Sequence, residues 1–218
     1  MNGRIPEIAV IDYGIGNLRS AEKALQHLGA DAALVSDPEI IAAAPAAVLP
    51  GVGAFGACMD ALDGSGLADT ARAFAASGRP FLGICVGMQL LYDASEETPG
   101  RTGLCILDGT VGLLEGPVKR PQMQWNRLVA SEPAHPLMSG ADGEWMYFVH
   151  SYAAPLGDDV IATCEYGGPV TAAVARDNVW AVQFHPEKSG EAGLALLANF
   201  VAHVKASQAP MPVAEEVR

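Results

Sequence analysis

Four short, almost wholly apolar runs punctuate the first hundred residues: Glu7–Asp12, Ala32–Val35, Ala46–Leu49 and Pro80–Ile84. A strand that is apolar at every position has no face to show to water. It must sit in a sheet covered on both sides, and parallel sheets are covered by the helices that connect their strands. The intervening segments fit that role. After Tyr13-Gly14, Asn17 is placed to cap a helix in which Leu18, Ala21, Leu25 and Leu28 recur at helical spacing until Gly29 stops it. A second helix is expected over Leu67–Ala76, closed by Gly78, and a third over Gly87–Tyr92, directly after the fourth strand.

Residues 100–180 change in character. Glycine and proline become frequent, and β-branched or aromatic runs appear at Trp145–Val149, Val160–Cys164, Val170–Val174 and Val179–Phe184. With Gly167-Gly168-Pro169 and Asp177-Asn178 as turn signals, these runs predict antiparallel hairpins added to the parallel sheet. Ser189 can cap a last helix presenting Gly193, Leu196, Leu197, Phe200, Val201 and Val204 on one face. No repeat or linker interrupts the pattern, so one domain is expected over residues 1–205, with 206–218 as a disordered tail.

Charge narrows the function. With 13 basic and 25 acidic side chains the net charge is −12, which repels a polyphosphate, so no nucleic acid is expected as partner. No apolar run reaches the roughly 18 residues of a membrane span and no signal peptide is readable, so the expectation is a cytoplasmic protein that engages no membrane. The cysteines, Cys58, Cys85, Cys105 and Cys164, are too sparse for a disulfide framework.

One of them stands out. Gly83-Ile84-Cys85-Val86-Gly87 sits at a strand-to-helix junction and has the form of a nucleophile elbow with cysteine in place of serine. A nucleophile on so sharp a turn takes a strained backbone, and glycines two residues before and after relieve the crowding. Free N–H groups at the start of the following helix favour a thiolate, and that of Val86 can bind an oxyanion. Further on, Gln183-Phe184-His185-Pro186-Glu187 closes a strand. Residues i and i+2 of an extended chain share a face, so His185 and Glu187 are expected side by side. A carboxylate there holds one ring nitrogen protonated and leaves the other to take a thiol proton. Cys85, His185 and Glu187 thus form a candidate triad.

Gly51-Val52-Gly53-Ala54-Phe55-Gly56 matches a dinucleotide-binding fingerprint. It follows the third strand rather than the first and lacks the acidic residue expected about 20 positions on. The alternative is a flexible glycine loop that supplies a second oxyanion donor. No P-loop is present, no cluster has metal-ligand spacing, and no metal or cofactor is expected.

GICVGMQ and QFHPEKS resemble the elbow and the His-Pro-Glu segment of class I glutamine amidotransferases. Ile11–Ser20 (IDYGIGNLRS), Pro50–Gly56 (PGVGAFG), Ser95–Glu97 (SEE) and Tyr147–Tyr152 (YFVHSY) are similar to the glutaminase subunits of imidazole glycerol phosphate synthase, over about residues 8–205. The resemblance implies an α/β fold, a three-layer flavodoxin-like sandwich with a mostly parallel central sheet. It implies hydrolysis of L-glutamine by Cys85, His185 and Glu187, with oxyanion donors from Val86, Val52 and Gly53. Gln89, Glu97, Ser151 and Tyr152 would bind the amino-acid end of glutamine. Ammonia would pass to a separate cyclase subunit, a (β/α)8 barrel in a 1:1 heterodimer, contacted by Asn17, Trp125, Asn126, Tyr147 and Lys188. One segment departs from the pattern: Pro121-Gln122-Met123-Gln124-Trp125-Asn126 stands where the family usually has Pro-His-Met-Gly-Trp-Asn, which leaves open a different synthase partner. Two further alternatives are a free-standing cysteine hydrolase and a catalytically silent module of the same fold.

Overall fold

A computed structural model of the chain describes residues 4–132 and 134–208. The first half runs β1 (Ile8–Ile11), α1 (Leu18–His27), β2 (Ala32–Val35), α2 (Pro38–Ala43), β3 (Ala46–Gly51), α3 (Phe55–Gly64), α4 (Leu67–Ala75), β4 (Phe81–Cys85) and α5 (Val86–Gln89). The second half adds β5 (Ala94–Ser95), β6 (Thr110–Leu113), β7 (Gln122–Arg127), β8 (Val129–Ala130), β9 (Trp145–His150), β10 (Tyr152–Ala153), β11 (Val160–Glu165), β12 (Pro169–Arg176), β13 (Val179–Val182) and α6 (Gly190–Gln208).

The main sheet has eight strands in the order β2-β1-β3-β4-β13-β12-β11-β8. The first five are parallel and follow the flavodoxin-like order; β12, β11 and β8 extend the sheet antiparallel. Every residue of β1 is fully buried, as are Ala46–Leu49 of β3. With the strand order reversing at β1, the right-handed crossover rule assigns α1 to one face and α2, α3 and α4 to the other. α6 packs against α1, and α2 and α3 pack against α4, which completes the three layers.

The parallel pairing of β13 with β4, from Val179 opposite Phe81 to Val182 opposite Ile84, decides where the site lies. It brings the segment after β13 beside Cys85 at the carboxyl end of β4. A separate two-stranded sheet, β7 with β9, pairs Trp125 with Tyr147 and Gln122 with His150. Among the described residues, no helix is long and apolar enough to cross a membrane.

Several expectations are corrected. Two helices, α2 and α3, go beyond those the sequence pattern predicts. α2 carries a plain signal, Asp37 accepting from the N–H of Glu39 at 2.9 Å with Pro38 in the first turn. α3 begins inside the glycine-rich loop, and its first N–H is satisfied by a carboxylate from a distant segment, which local patterning does not reveal. Asn17 precedes α1 as expected, but its side chain does not cap the helix; it accepts from the Ser20 hydroxyl at 2.9 Å. α5 is shorter than expected, β13 stops at Val182, and α6 runs to Gln208 rather than ending near residue 205. Positions 209–218 of the expected tail lie outside the described residues.

Candidate active site

Cys85 ends β4 at φ 56° and ψ −114°, with its side chain 3% exposed. An L-residue rarely adopts this conformation. The elbow is held from beneath by β3, backbone to backbone. A Cβ on Gly87 would lie 1.9 Å from the Leu49 carbonyl oxygen, and one on Gly51 would lie 2.7 Å from the Gly87 nitrogen. The glycine after the nucleophile is therefore required by the neighbouring strand, more than by crowding within the turn itself. The same register sets Gly51 opposite Cys85, so the Val52-Gly53 loop leaves β3 alongside the sulfur. α5 is a single turn, and it offers the sulfur free N–H groups such as that of Val86 rather than a long helix dipole.

His185 and Glu187 meet as expected, for a different reason. The chain is not extended there: Pro186–Lys188 form a 3₁₀ turn. The turn brings Glu187 Oε1 to 2.8 Å from His185 Nδ1, and both side chains are 3% exposed. Nδ1–H donates to the carboxylate, which leaves Nε2 free for the Cys85 thiol that lines the same cavity. Burial disfavours a charged ring, but the contacts with Cys85 and Glu187 outweigh it and push the imidazole up to about 9. Protonated imidazole beside sulfur is the pairing a nucleophilic thiolate needs. The turn is tied to β9: the His185 N–H donates to the Tyr147 carbonyl at 3.0 Å, and the Tyr147 N–H to Ser189 Oγ at 3.0 Å.

A cavity of about 410 Å³ opens over this pair. Cys85, Val86 and His185 line it, as do Val52, Gly53, Gln89 and Glu97, then Ser151 and Tyr152, and finally Asn17 and Lys188. Glu187 lies outside the lining, where its carboxylate holds His185. A larger cleft, about 880 Å³ along the β2 edge, touches none of these residues. Gln89 is buried, and its Nε2 donates to the Tyr152 carbonyl at 2.9 Å and to Gln183 Oε1 at 3.0 Å. Glu97 Oε2 accepts the Phe55 N–H at 2.7 Å. That carboxylate sits at the N-terminus of α3, where a dinucleotide fold would bind pyrophosphate. The fingerprint-like Gly51–Gly56 segment is thus committed to the elbow and to Glu97.

Trp125, Asn126 and Tyr147 do not line the cavity. Trp125 is half exposed and meets Tyr147 edge-on at 6.0 Å, on a face that also exposes Met123 and Trp145. Asn126 donates to the Glu165 carbonyl at 2.9 Å. Of the two departures in this segment, Gln124 is exposed, whereas Gln122 is fully buried with its Nε2 3.6 Å from Cys164 Sγ. Sequence reasoning missed Gln183 and His150. His150 is a buried ring whose Nδ1 lies 2.9 Å from the Tyr152 carbonyl oxygen, and burial pulls it down to about 4, so it is neutral and donates through Nδ1. Both residues lie inside quoted motifs; a polar side chain at a strand end next to an apolar run was the available signal. Among the described residues, no group of His, Cys, Asp or Glu is arranged to hold a metal ion.

The family model of class-I glutamine amidotransferases matches residues 9–204. The chain is 51% identical to the imidazole glycerol phosphate synthase subunit HisH of Methanothermobacter thermautotrophicus, covering 91% of this chain and 100% of that protein. It is likewise 51% identical to the subunit of the same name from Methylococcus capsulatus, covering 89% and 95%. Among solved structures, a glutamine amidotransferase superposes with a TM-score of 0.72 at 21% identity, covering 91% of this chain and 99% of that one, a likeness of fold. The chain belongs to the class-I glutamine amidotransferase family, in the group of the imidazole glycerol phosphate synthase HisH subunits.

Proposed function

We propose that residues 1–205 form one amidotransferase domain that hydrolyses L-glutamine to glutamate and ammonia in histidine biosynthesis, in the cytoplasm. The ammonia passes to a separate (β/α)8-barrel cyclase in a 1:1 heterodimer, which makes imidazole glycerol phosphate and an aminoimidazole carboxamide ribotide. The identity of these relatives as imidazole glycerol phosphate synthase subunits supports the synthase assignment. The observation that carries the chemistry is the left-handed Cys85 beside an imidazole whose far nitrogen is held by Glu187 at 2.8 Å.

The Cys85 sulfur attacks the side-chain amide carbon of glutamine. The N–H of Val86 and a donor from the Val52-Gly53 loop take the oxyanion. His185 gives its proton to the leaving nitrogen, which departs as ammonia and leaves a thioester. His185 then deprotonates a water that attacks the thioester, and glutamate leaves with the thiol restored.

The cavity sorts the two charged ends of the substrate. Both hydrogens of the Gln89 amide are engaged, so it offers the substrate its oxygen, an acceptor. With the free oxygen of Glu97 it suits the α-ammonium. The carbonyls of Ser151 and Tyr152 are taken, by Leu114 N–H for the first and by Gln89 and His150 for the second. The N–H groups of that segment are the donors for the α-carboxylate.

Ammonia in neutral water is largely protonated and then not a nucleophile, which favours direct delivery to the partner. The exposed Trp125–Tyr147 face, with Asn126, Asn17 and Lys188, is the proposed contact. The test is glutamate and ammonia release by the wild type and by Cys85→Ala, with and without a barrel cyclase. Cys85→Ala is expected to fold and to release neither product; retained turnover would overturn the assignment.

A further inference from the structure

Gln183 is fully buried at the end of β13, where an apolar side chain would satisfy packing alone. Its backbone N–H is anchored on the Ala172 carbonyl at 2.8 Å. Its Oε1 accepts from Gln89 Nε2 at 3.0 Å, and its Nε2 reaches Cys85 Sγ at 3.9 Å. The orientation of the amide is fixed by its neighbours. The second Gln89 hydrogen goes to the Tyr152 carbonyl, which also receives His150 Nδ1–H. Turning the Gln183 amide over would set its NH₂ against the NH₂ of Gln89. The Gln183 N–H therefore has to face the sulfur.

We propose that Gln183 is a further catalytic residue, whose side-chain amide donates to the Cys85 sulfur and stabilises the thiolate relative to the thiol. The proposal rests on the assignment of Cys85 as the nucleophile. A hydrogen bond of this length contributes little to a neutral thiol and more to a charged sulfur, because charge-assisted bonds are the stronger ones. Gln89 holds the Gln183 amide and lines the substrate cavity, so one buried chain of amides sets both the nucleophile and the acceptor for the α-ammonium.

The test is the pH dependence of iodoacetamide alkylation at Cys85 in the full chain, read on the Cys85 peptide by mass spectrometry. Tyr13, Cys58 and His185 with its partner Glu187 also face the sulfur, and His150 faces His185. These groups are the same in every variant. Gln183→Met removes the donor at similar volume, and Gln183→Glu keeps an acceptor for Gln89 while replacing the N–H with oxygen. Both are expected to move the alkylation midpoint up by about one pH unit and to lower kcat about tenfold, the low end for a bond to a charged group. KM is expected to stay within about twofold for Gln183→Glu, which keeps the acceptor for Gln89.

A folded Gln183→Glu protein with the wild-type alkylation profile would overturn the proposal, as would a loss confined to KM. Where Gln183→Met does not fold, Gln183→Glu carries the test, since it preserves size and the contact with Gln89. Alkylation requires no glutamine. A shifted profile in a chain that releases no ammonia would therefore sustain this proposal and overturn the glutaminase assignment.

Discussion

Replacing Cys85 by glycine should not cost what such a change costs elsewhere. The residue sits at φ 56° and ψ −114°, where a Cβ is squeezed and glycine is not. Holding a non-glycine residue in such a region costs about 1–3 kcal/mol. Alanine and glycine variants both lack the thiol, so comparing them removes catalysis from the question. Glycine loses about 0.4–1 kcal/mol through the entropy of its unfolded chain. It also gives up one buried methyl group, worth about 0.8 kcal/mol. With about 2 kcal/mol of strain relieved, the balance is about 0.5 kcal/mol in favour of glycine. At an unstrained buried position the same change would cost about 1.5 kcal/mol. Urea titration of Cys85→Ala and Cys85→Gly separates the two cases. A difference of about 2 kcal/mol moves the midpoint by roughly 0.7 M at an m-value near 3 kcal/mol/M. A glycine variant less stable than the alanine variant by 1 kcal/mol or more would refute the claim that the elbow is strained.

Glu187→Gln is expected to slow turnover by up to about 10⁴, far more than it destabilises the fold, because an amide can hold the ring of His185 but cannot stabilise its charge; equal rates with a lowered midpoint would make Glu187 structural. His150, held down to about 4 against an ordinary 6.5, gives a stability contribution that is complete above pH 6.5 and is lost as pH falls towards 4. That loss is on the order of 3 kcal/mol, and denaturant titrations at pH 7 and pH 4.5 should show a shallower acid loss in His150→Gln. His185, raised to about 9, has the opposite sign: its contribution is present below pH 6.5 and lost as pH rises through 9. Finally, the chain alone should hydrolyse glutamine slowly and be activated by the cyclase with its own ligand bound, by up to about 10²–10³ if one oxyanion donor of the Val52-Gly53 loop is gained. Gly53, at φ 98°, holds a backbone conformation suited to glycine, and Tyr147 links the exposed aromatic face directly to the His185 turn. Equal rates alone, with partner and with partner plus ligand would eliminate the switch.

The parallel core was legible because burial on both faces leaves its mark residue by residue in β1, β3 and β4, which differ from expectation only at their ends; the edge strand Ala32–Val35, half of it only partly buried, is also where the apolar run predicts it. The elbow was legible from its Gly-x-Cys-x-Gly spacing at a strand end, of which only Gly83 answers crowding within the turn, from Gly87 and Met88. α3 was not, because its N-terminal N–H is paired with Glu97, 42 positions away, and no local pattern encodes such a partner. His185 and Glu187 were paired correctly from a wrong local geometry, since a 3₁₀ turn and an extended chain can both bring i and i+2 together.

By itself, the sequence determined the strands of the parallel core and marked the elbow and the His-Pro-Glu segment as the candidate chemistry, since periodicity, caps and residue chemistry act over a few neighbours. Tertiary structure alone decided that β13 lies parallel to β4, and so that His185 meets Cys85 across a hundred residues of chain. It decided, too, that Gly87 must be glycine because the Leu49 carbonyl occupies the space of its Cβ. The hydrogen-bonded chain from His150 through Gln89 and Gln183 to the sulfur exists only once three separate segments are packed together. Buried polar groups must find partners, and which partners are within reach is settled by packing rather than by spacing along the chain.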